Sequence, residues 1–167
     1  MIERLPLRGL TLIELVIGLG ICAVLMSLAM PSFGHYLQRQ RLKAAAQGLE
    51  LDLREARFEA ARRGGALYLN FQEGTDWCYA LSSTPDCDCR VQQACRIKTT
   101  RGSDLRGVQL LQSHAVRFDP ATGQAETPGT AAIWAAPGGE RVKVSVGAMG
   151  RPSVCMQEGN LPPFPAC

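Results

Sequence analysis

Between Leu10 and Met30 the chain carries a single charged side chain, Glu14. A carboxylate inside an apolar run of bilayer-spanning length is costly, so it needs a cationic partner and usually a function. The other reactive group is cysteine, of which there are seven. Cys22 lies in the apolar run, leaving Cys78, Cys87, Cys89, Cys95, Cys155 and Cys167. An even number in a translocated domain reads as disulfides, and six cysteines allow 15 pairings among which sequence does not choose. Cys155 with Cys167 is the preferred pair, because it would tie down the Pro-rich tail Leu161-Pro162-Pro163-Phe164-Pro165. The other four would then pair among themselves around the loop from Ser82 to Asp88. A zinc site of Cys78, Cys87, Cys89 and Cys95 is the alternative. A Cys-x-Cys step with irregular wider gaps does not match the paired short spacings of structural zinc modules.

Catalytic chemistry has little to work with. The two histidines, His35 and His114, are far apart, and no His-Glu-x-x-His, Gly-x-Ser-x-Gly or phosphate-loop pattern occurs. His35 sits where an interfacial ring with one polar edge is expected, and His114 reads as a strand-surface residue. Neither an enzyme nor a cofactor or metal is expected. With 167 residues there is room for one ordinary domain plus an anchor, and the formal charge of +3 is too small to imply nucleic-acid binding by itself.

Four readings compete for the N-terminal segment. Arg4 and Arg8 with Ser27-Leu28-Ala29 suggest a removable signal peptide; Cys22 suggests a lipoprotein signal, although Ile21 is too bulky; a plain anchor is the third. None of these gains from Glu14. The fourth rests on Arg8-Gly9-Leu10-Thr11-Leu12-Ile13-Glu14, a basic leader, a glycine, a bulky apolar residue and a glutamate four residues on. This run resembles the processing site of type IV prepilins and type II secretion pseudopilins. The resemblance implies cleavage after Gly9 by a prepilin peptidase and N-methylation of Leu10, although Phe is the family's usual residue there. It also implies that Glu14 pairs with the terminal amine of a neighbouring subunit during fibre assembly.

The elements that must position these residues follow from periodicity. Residues 1–9 read as leader and 10–30 as the transmembrane assembly helix. Pro31 should bend or locally weaken the helix without ending it, and it matches a proline often found there in pilins. Residues 31–63 continue the helix: Leu42, Leu49, Leu53, Ala56 and Ala60 share one face, while Arg39, Arg41, Lys43, Glu50, Asp52, Arg54, Arg57 and Arg62 occupy the remainder. Glu50 with Arg54 and Glu59 with Arg63 have helix-supporting spacing. Gly64-Gly65 reads as a stop. Helical throughout, Leu10 to Arg63 would span about 80 Å.

Residues 66–167 read as a β-rich head. Strands are expected at 66–71, 77–81, 108–111, 115–118, 130–134, 141–146 and 151–155, with a turn at Asp119-Pro120-Ala121-Thr122-Gly123. The fold class is therefore α+β, a long N-terminal helix packed on a small antiparallel sheet. The run Glu55-Ala56-Arg57 to Arg62-Arg63-Gly64, Phe118-Asp119-Pro120 leading to Gly123, and Arg141-Val142-Lys143-Val144-Ser145-Val146 before Gly150-Arg151 are similar to the GspH/FimT family of minor pilins and pseudopilins. That likeness implies a structural subunit of a type IV pilus, acting at the tip or in priming, with a type II secretion pseudopilus as the alternative. It places the chain in the inner membrane with its head in the periplasm, and names other pilins and the prepilin peptidase as partners. Some competence pilins of the family bind DNA through a Gly-Arg-x-Arg segment. Here Pro152 and Ser153 follow Gly150-Arg151, so the second arginine is missing; Arg151, Arg141 and Lys143 remain the candidate contacts.

Overall fold

The computed structural model describes residues 11–91 and 96–167, with backbone alone at residues 28–31. Gly9, Leu10 and Cys95 lie outside the described residues, as does the side chain of Pro31. The chain divides into two compact units, residues 1–36 and residues 37–167, and one helix, α1 (Leu12–Arg63), contributes to both.

Among the described residues of the first unit α1 covers no core. Leu12, Ile13, Leu15, Val16, Ile17, Leu19, Ile21, Val24, Leu25 and Met26 are all more than half exposed. Water does not tolerate so continuous an apolar surface on a monomer, so this surface is built to be covered. Among the described residues no single helix is, on its own, long and apolar enough to cross a membrane. The segments Leu12–Ser27 and Ser32–Arg63 together meet that test by length and composition.

In the second unit the 3.6-residue period takes over. Leu42, Ala45, Ala46, Leu49, Leu53, Ala56 and Ala60 form a stripe with almost no solvent access. After Arg63 the helix stops at Gly64, whose positive φ of 63° supplies the left-handed cap that glycine adopts without strain. Glu59 then holds both Arg62 (2.8 Å) and Arg63 (2.7 Å), and their hydrogen bonds bring its carboxyl down to about 2. Arg54 pairs with Glu50 one turn earlier (2.5 Å).

Among the described residues eight strands follow: β1 (Leu67–Gln72), β2 (Cys78–Ser82), β3 (Arg96–Arg101), β4 (Gln109–Ser113), β5 (Val116–Phe118), β6 (Gly129–Ala135), β7 (Arg141–Val146) and β8 (Pro152–Glu158). They make two four-stranded antiparallel sheets rather than one, ordered β3-β2-β1-β5 and β4-β6-β7-β8. A 3-10 turn, Gly102–Leu105, follows β3. In β7 the valines 142, 144 and 146 point inward and Arg141, Lys143 and Ser145 outward, the alternation of a half-buried strand. β3, Arg-Ile-Lys-Thr-Thr-Arg, is absent from the strands expected above. Its basic residues mask the period, and what makes it a strand is pairing with β2 from Arg101↔Cys78 to Arg96↔Ser82.

Both sheets and the stripe of α1 share one core. At its centre Trp77 and Tyr79 stack with ring centroids 6.3 Å apart, and Trp134 meets Trp77 edge-on at 5.7 Å. The Trp77 indole N–H donates to the Val108 carbonyl (2.8 Å), so the ring is fixed in orientation as well as buried.

Among the described residues one charged side chain is buried against this core. Asp52, expected on the solvated side of the helix, is instead 5% exposed. It accepts from the Tyr79 hydroxyl (2.8 Å) and the Lys98 ammonium (2.6 Å), which fixes α1 against β2 and β3. Two partners at hydrogen-bond distance offset the desolvation that would otherwise expel a carboxylate. Burial, then the Asp52 charge, pushes the Tyr79 phenol far above its ordinary 10.0. Lys98 is raised above 10.5, chiefly by its hydrogen bond to Asp52. A group whose folded pKa lies above its unfolded value stabilises the fold fully below the unfolded value and loses that contribution as pH rises. Denaturant unfolding should therefore show stability falling as pH climbs past about 10, and Tyr79→Phe should remove the tyrosine share of that slope.

Candidate assembly helix and head surfaces

The first turn of α1 is built around Glu14. Thr11 precedes the helix and accepts from the Glu14 backbone N–H through its hydroxyl (3.3 Å), while its carbonyl accepts from Leu15 N–H (3.2 Å). Thr-Leu-Ile-Glu has the residue types of a helix capping box, and an acid in the first turn is favoured by the helix dipole. Position thus lowers the cost of this carboxylate within the apolar segment. The same four residues that contribute to the prepilin resemblance also start the helix. Pro31 lies within α1, and the helical backbone continues through it.

The motifs that gave the head its family likeness converge on one spot. Arg57, at the edge of the buried stripe, donates through Nε to the Gly123 carbonyl (3.0 Å). Asp119 Oδ1 accepts from the N–H groups of Ala121 (3.0 Å) and Thr122 (2.8 Å) and from the Thr122 hydroxyl (2.9 Å). These bonds, those from Thr122 foremost, lower the Asp119 pKa. They curl the turn so that Gly123 takes φ 66° and its carbonyl faces Arg57. Gly150, at φ 71°, closes the second loop, and a Cβ there would lie 2.2 Å from the Gly123 carbonyl oxygen. Arg57, Gly123 and Gly150 therefore lock helix, β5–β6 loop and β7–β8 loop together.

Beside this lock lies a small basic groove of about 340 Å³, lined by Arg54, Arg57, Gly150, Arg151 and Pro152. It adjoins a hollow that contains Phe58, which is 68% exposed. Arg141 and Lys143 do not join it: they stand further along β7, and Arg141 pairs with Glu158 (3.1 Å). Other cations are engaged elsewhere, Lys98 with Asp52 and Glu55, Arg90 with the Glu73 carbonyl and Arg96 with the Cys89 carbonyl. Of the histidines, His114 is exposed between β4 and β5 with its backbone N–H on the Ala131 carbonyl (3.0 Å), and His35 is exposed on α1.

The cysteines act as staples. Cys78 is joined to Cys89, and both pack with Ala80 in a small separate cluster, so the loop after β2 covers the outer face of the first sheet. That cover explains why every position of β2 is buried. Cys87 is also disulfide-bonded. Cys155 is joined to Cys167. The tail between them runs back along β8, with Met156 N–H on the Pro165 carbonyl (2.7 Å) and Cys167 N–H on the Met156 carbonyl (2.9 Å). Arg39 donates to the Asn160 carbonyl and Lys43 to the Pro162 carbonyl, which fastens the tail to α1 as well.

Sequence reasoning missed Asp52 and the anchoring role of Arg57. Asp52 adjoins Leu53 on the buried arc, and that spacing was its available signal. Arg57 gave none, because its partner is a backbone carbonyl distant in sequence.

The likeness to known proteins agrees with this architecture. The crystal structure of the type IV minor pilin FimU of Pseudomonas aeruginosa superposes with a TM-score of 0.53 at 19% identity, over 71% of this chain and 91% of that one. The pilin-like protein PilA1 of Thermus thermophilus is 44% identical over 68 residues, 40% of this chain. That match spans 42% of PilA1, less than half its length. The family described as type II transport protein GspH matches residues 45–150, from the helix stripe through the Arg57–Gly123–Gly150 lock. With well over half its length matched, this chain belongs to the GspH family, whose pilin-like fold it shares.

Proposed function

We propose that the chain is a minor pilin-type structural subunit of a type IV pilus, acting at the fibre tip or in priming assembly. A prepilin peptidase cuts after Gly9 and the new terminus, Leu10, is N-methylated. Residues 10–30 then anchor the subunit in the inner membrane, with the disulfide-stapled head in the periplasm. On extraction the apolar part of α1 exchanges lipid for the helices of neighbouring pilins, and Glu14 finds a neighbour's terminal amine. The observation that carries this reading is the run of apolar side chains from Leu12 to Met26, uncovered and interrupted by a single carboxylate in the first helical turn. No catalytic step is needed for this role.

The test is proteolytic. Co-expression with a prepilin peptidase is expected to shorten the chain by the nine-residue leader, with a further methyl group seen by intact mass. Gly9→Asp should leave the precursor uncut. An unchanged mass in the presence of active peptidase contradicts the proposal.

The second reading, a type II secretion pseudopilin, uses the same helix and differs in where the fibre stops. The family description supports it. A third, binding of DNA, draws on the groove where Arg54, Arg57 and Arg151 lie near exposed Phe58. Cations interleaved with an aromatic suit a nucleic-acid strand, and such binding would weaken steeply with salt.

A further inference from the structure

The first sheet has a gap along the edge of β1, between the short strand β5 and a bridge from Gly74 to Leu110 of β4. β5 pairs with β1 only at Leu67, Tyr68 and Leu69, whereas β1 runs on to Gln72 with β2 alone beside it. The side of β1 each residue faces can be read from β5. Arg117 C=O accepts from Glu126 N–H (3.0 Å) and Asp119 N–H donates to Gln124 C=O (3.0 Å), so these residues turn away from β1. Their neighbours Phe118 and Val116 therefore bond Leu67 and Leu69. By the alternation of the ladder, Tyr68, Asn70 and Gln72 face β2, and the next outward residue is Phe71. Among the described residues nothing bonds the Phe71 N–H or C=O. Beyond it, Glu73 spans the gap with its side chain, accepting from Ser113 N–H (2.6 Å) and Ser113 Oγ (3.0 Å), and Gly74 closes the far end by exchanging both backbone bonds with Leu110 (3.1 and 3.3 Å).

The result is a cleft of about 710 Å³ with Asn70–Glu73 on one wall, Ser113 and Ala115 on the other, and Pro85–Asp88 as the rim. That size is within the range of ordinary binding clefts. The carboxylates of Glu73, Asp86 and Asp88 line it, and no lysine, arginine or histidine is among its described lining residues. Arg90 stands beside the rim, its guanidinium donating to the Glu73 carbonyl (3.4 Å) and its backbone N–H to Asp88 Oδ1 (2.8 Å). An unpaired strand edge is a template for another strand, and natural proteins usually cover or blunt it. Here it is recessed and rimmed with negative charge.

We propose that this cleft takes an extended, basic segment of a partner polypeptide, which adds to β1 as a strand at Phe71. Main-chain bonds at Phe71 supply the docking geometry, and the carboxylates select cationic side chains over acidic ones. The inference does not depend on fibre membership, because a soluble peptide suffices to test it.

The probe is a capped Lys-Val-Lys-Val-Lys-Val hexapeptide, added to the full processed chain in detergent micelles while amide hydrogen exchange is followed by NMR. In the free chain the Phe71 amide should exchange faster than that of Leu69, which β5 pairs. Saturating peptide should slow Phe71 at least about tenfold, and the affinity should fall as salt screens the charges. Glu73→Gln combined with Asp86→Lys should weaken binding about tenfold or more, because unlike charges become like, with Leu69 exchange reporting an intact sheet. Asp86→Lys alone, at an exposed position, serves if the double variant unfolds. No slowing at Phe71, equal binding of the Glu-Val-Glu-Val-Glu-Val counterpart, or indifference to charge reversal would overturn the proposal.

Discussion

Glu14→Ala is expected to reach the membrane at normal level, to be processed after Gly9, and to be missing from fibres. The side chain meets two environments. In the free subunit the carboxylate lies in an apolar helix, so alanine costs nothing there and removes a charge that lipid disfavours. In the proposed fibre it pairs with a neighbour's terminal amine, and alanine leaves that amine desolvated and alone. Breaking one side of a buried pair costs about 3–5 kcal/mol, or roughly two to four decades in an association constant. Fibre content measured by immunoblot of sheared material should thus fall at least about a hundredfold at unchanged membrane content. Glu14→Asp keeps the charge and should restore part of it. Incorporation of the alanine variant at wild-type level would remove Glu14 from the mechanism.

The largest expected effect on folding is at Gly150. Its φ of 71° is in the region that side chains avoid, and an added Cβ would stand 2.2 Å from the Gly123 carbonyl oxygen, which is backbone and cannot swing away. Left-handed strain costs about 1–2 kcal/mol, and forcing apart two packed loops adds about 1–3 kcal/mol. Gly150→Ala should then destabilise the head by about 3 kcal/mol or more, a large part of the roughly 5–15 kcal/mol that holds a domain together. Gly64→Ala is the control, because φ there is 63° but no atom lies within 4 Å of the added Cβ. It should cost only the conformational share. Equal losses in urea melts would show that the Arg57–Gly123–Gly150 approach is not what binds the loops.

Much of this architecture is legible in the residues themselves, for physical reasons that can be named. Leu42, Leu49, Leu53, Ala56 and Ala60 announce their face because burial selects by period, and Gly64 announces the helix end because glycine alone takes that φ freely. β7 is legible by strict alternation, Val142-x-Val144-x-Val146. β3 is not, since Arg96 to Arg101 hold their places through pairing and through the Lys98 bridges to Asp52 and Glu55, which are properties of the partner elements. The split into two sheets is equally invisible, because it depends on the chain passing from pairing with β6 to pairing with β1 between Ser113 and Val116 rather than on any residue preference. At the candidate site, Glu14 stands out for its cost in an apolar run. The basic groove does not, because Arg54, Arg57 and Arg151 are brought together only when the β7–β8 loop folds onto α1.

In the proposed function the N-terminal helix, processed to begin at Leu10, carries the subunit into a fibre. The most direct measurement is mass spectrometry of fibres sheared from producing cells, searched for the N-terminal peptide of this chain. A peptide beginning at methylated Leu10 in the sheared fraction is the predicted result and assigns the chain to an extracellular pilus. The same peptide confined to the cell envelope would transfer it to a secretion pseudopilus. A mature chain that starts near Met30 instead would contradict the account, because the helix and Glu14 would have been discarded.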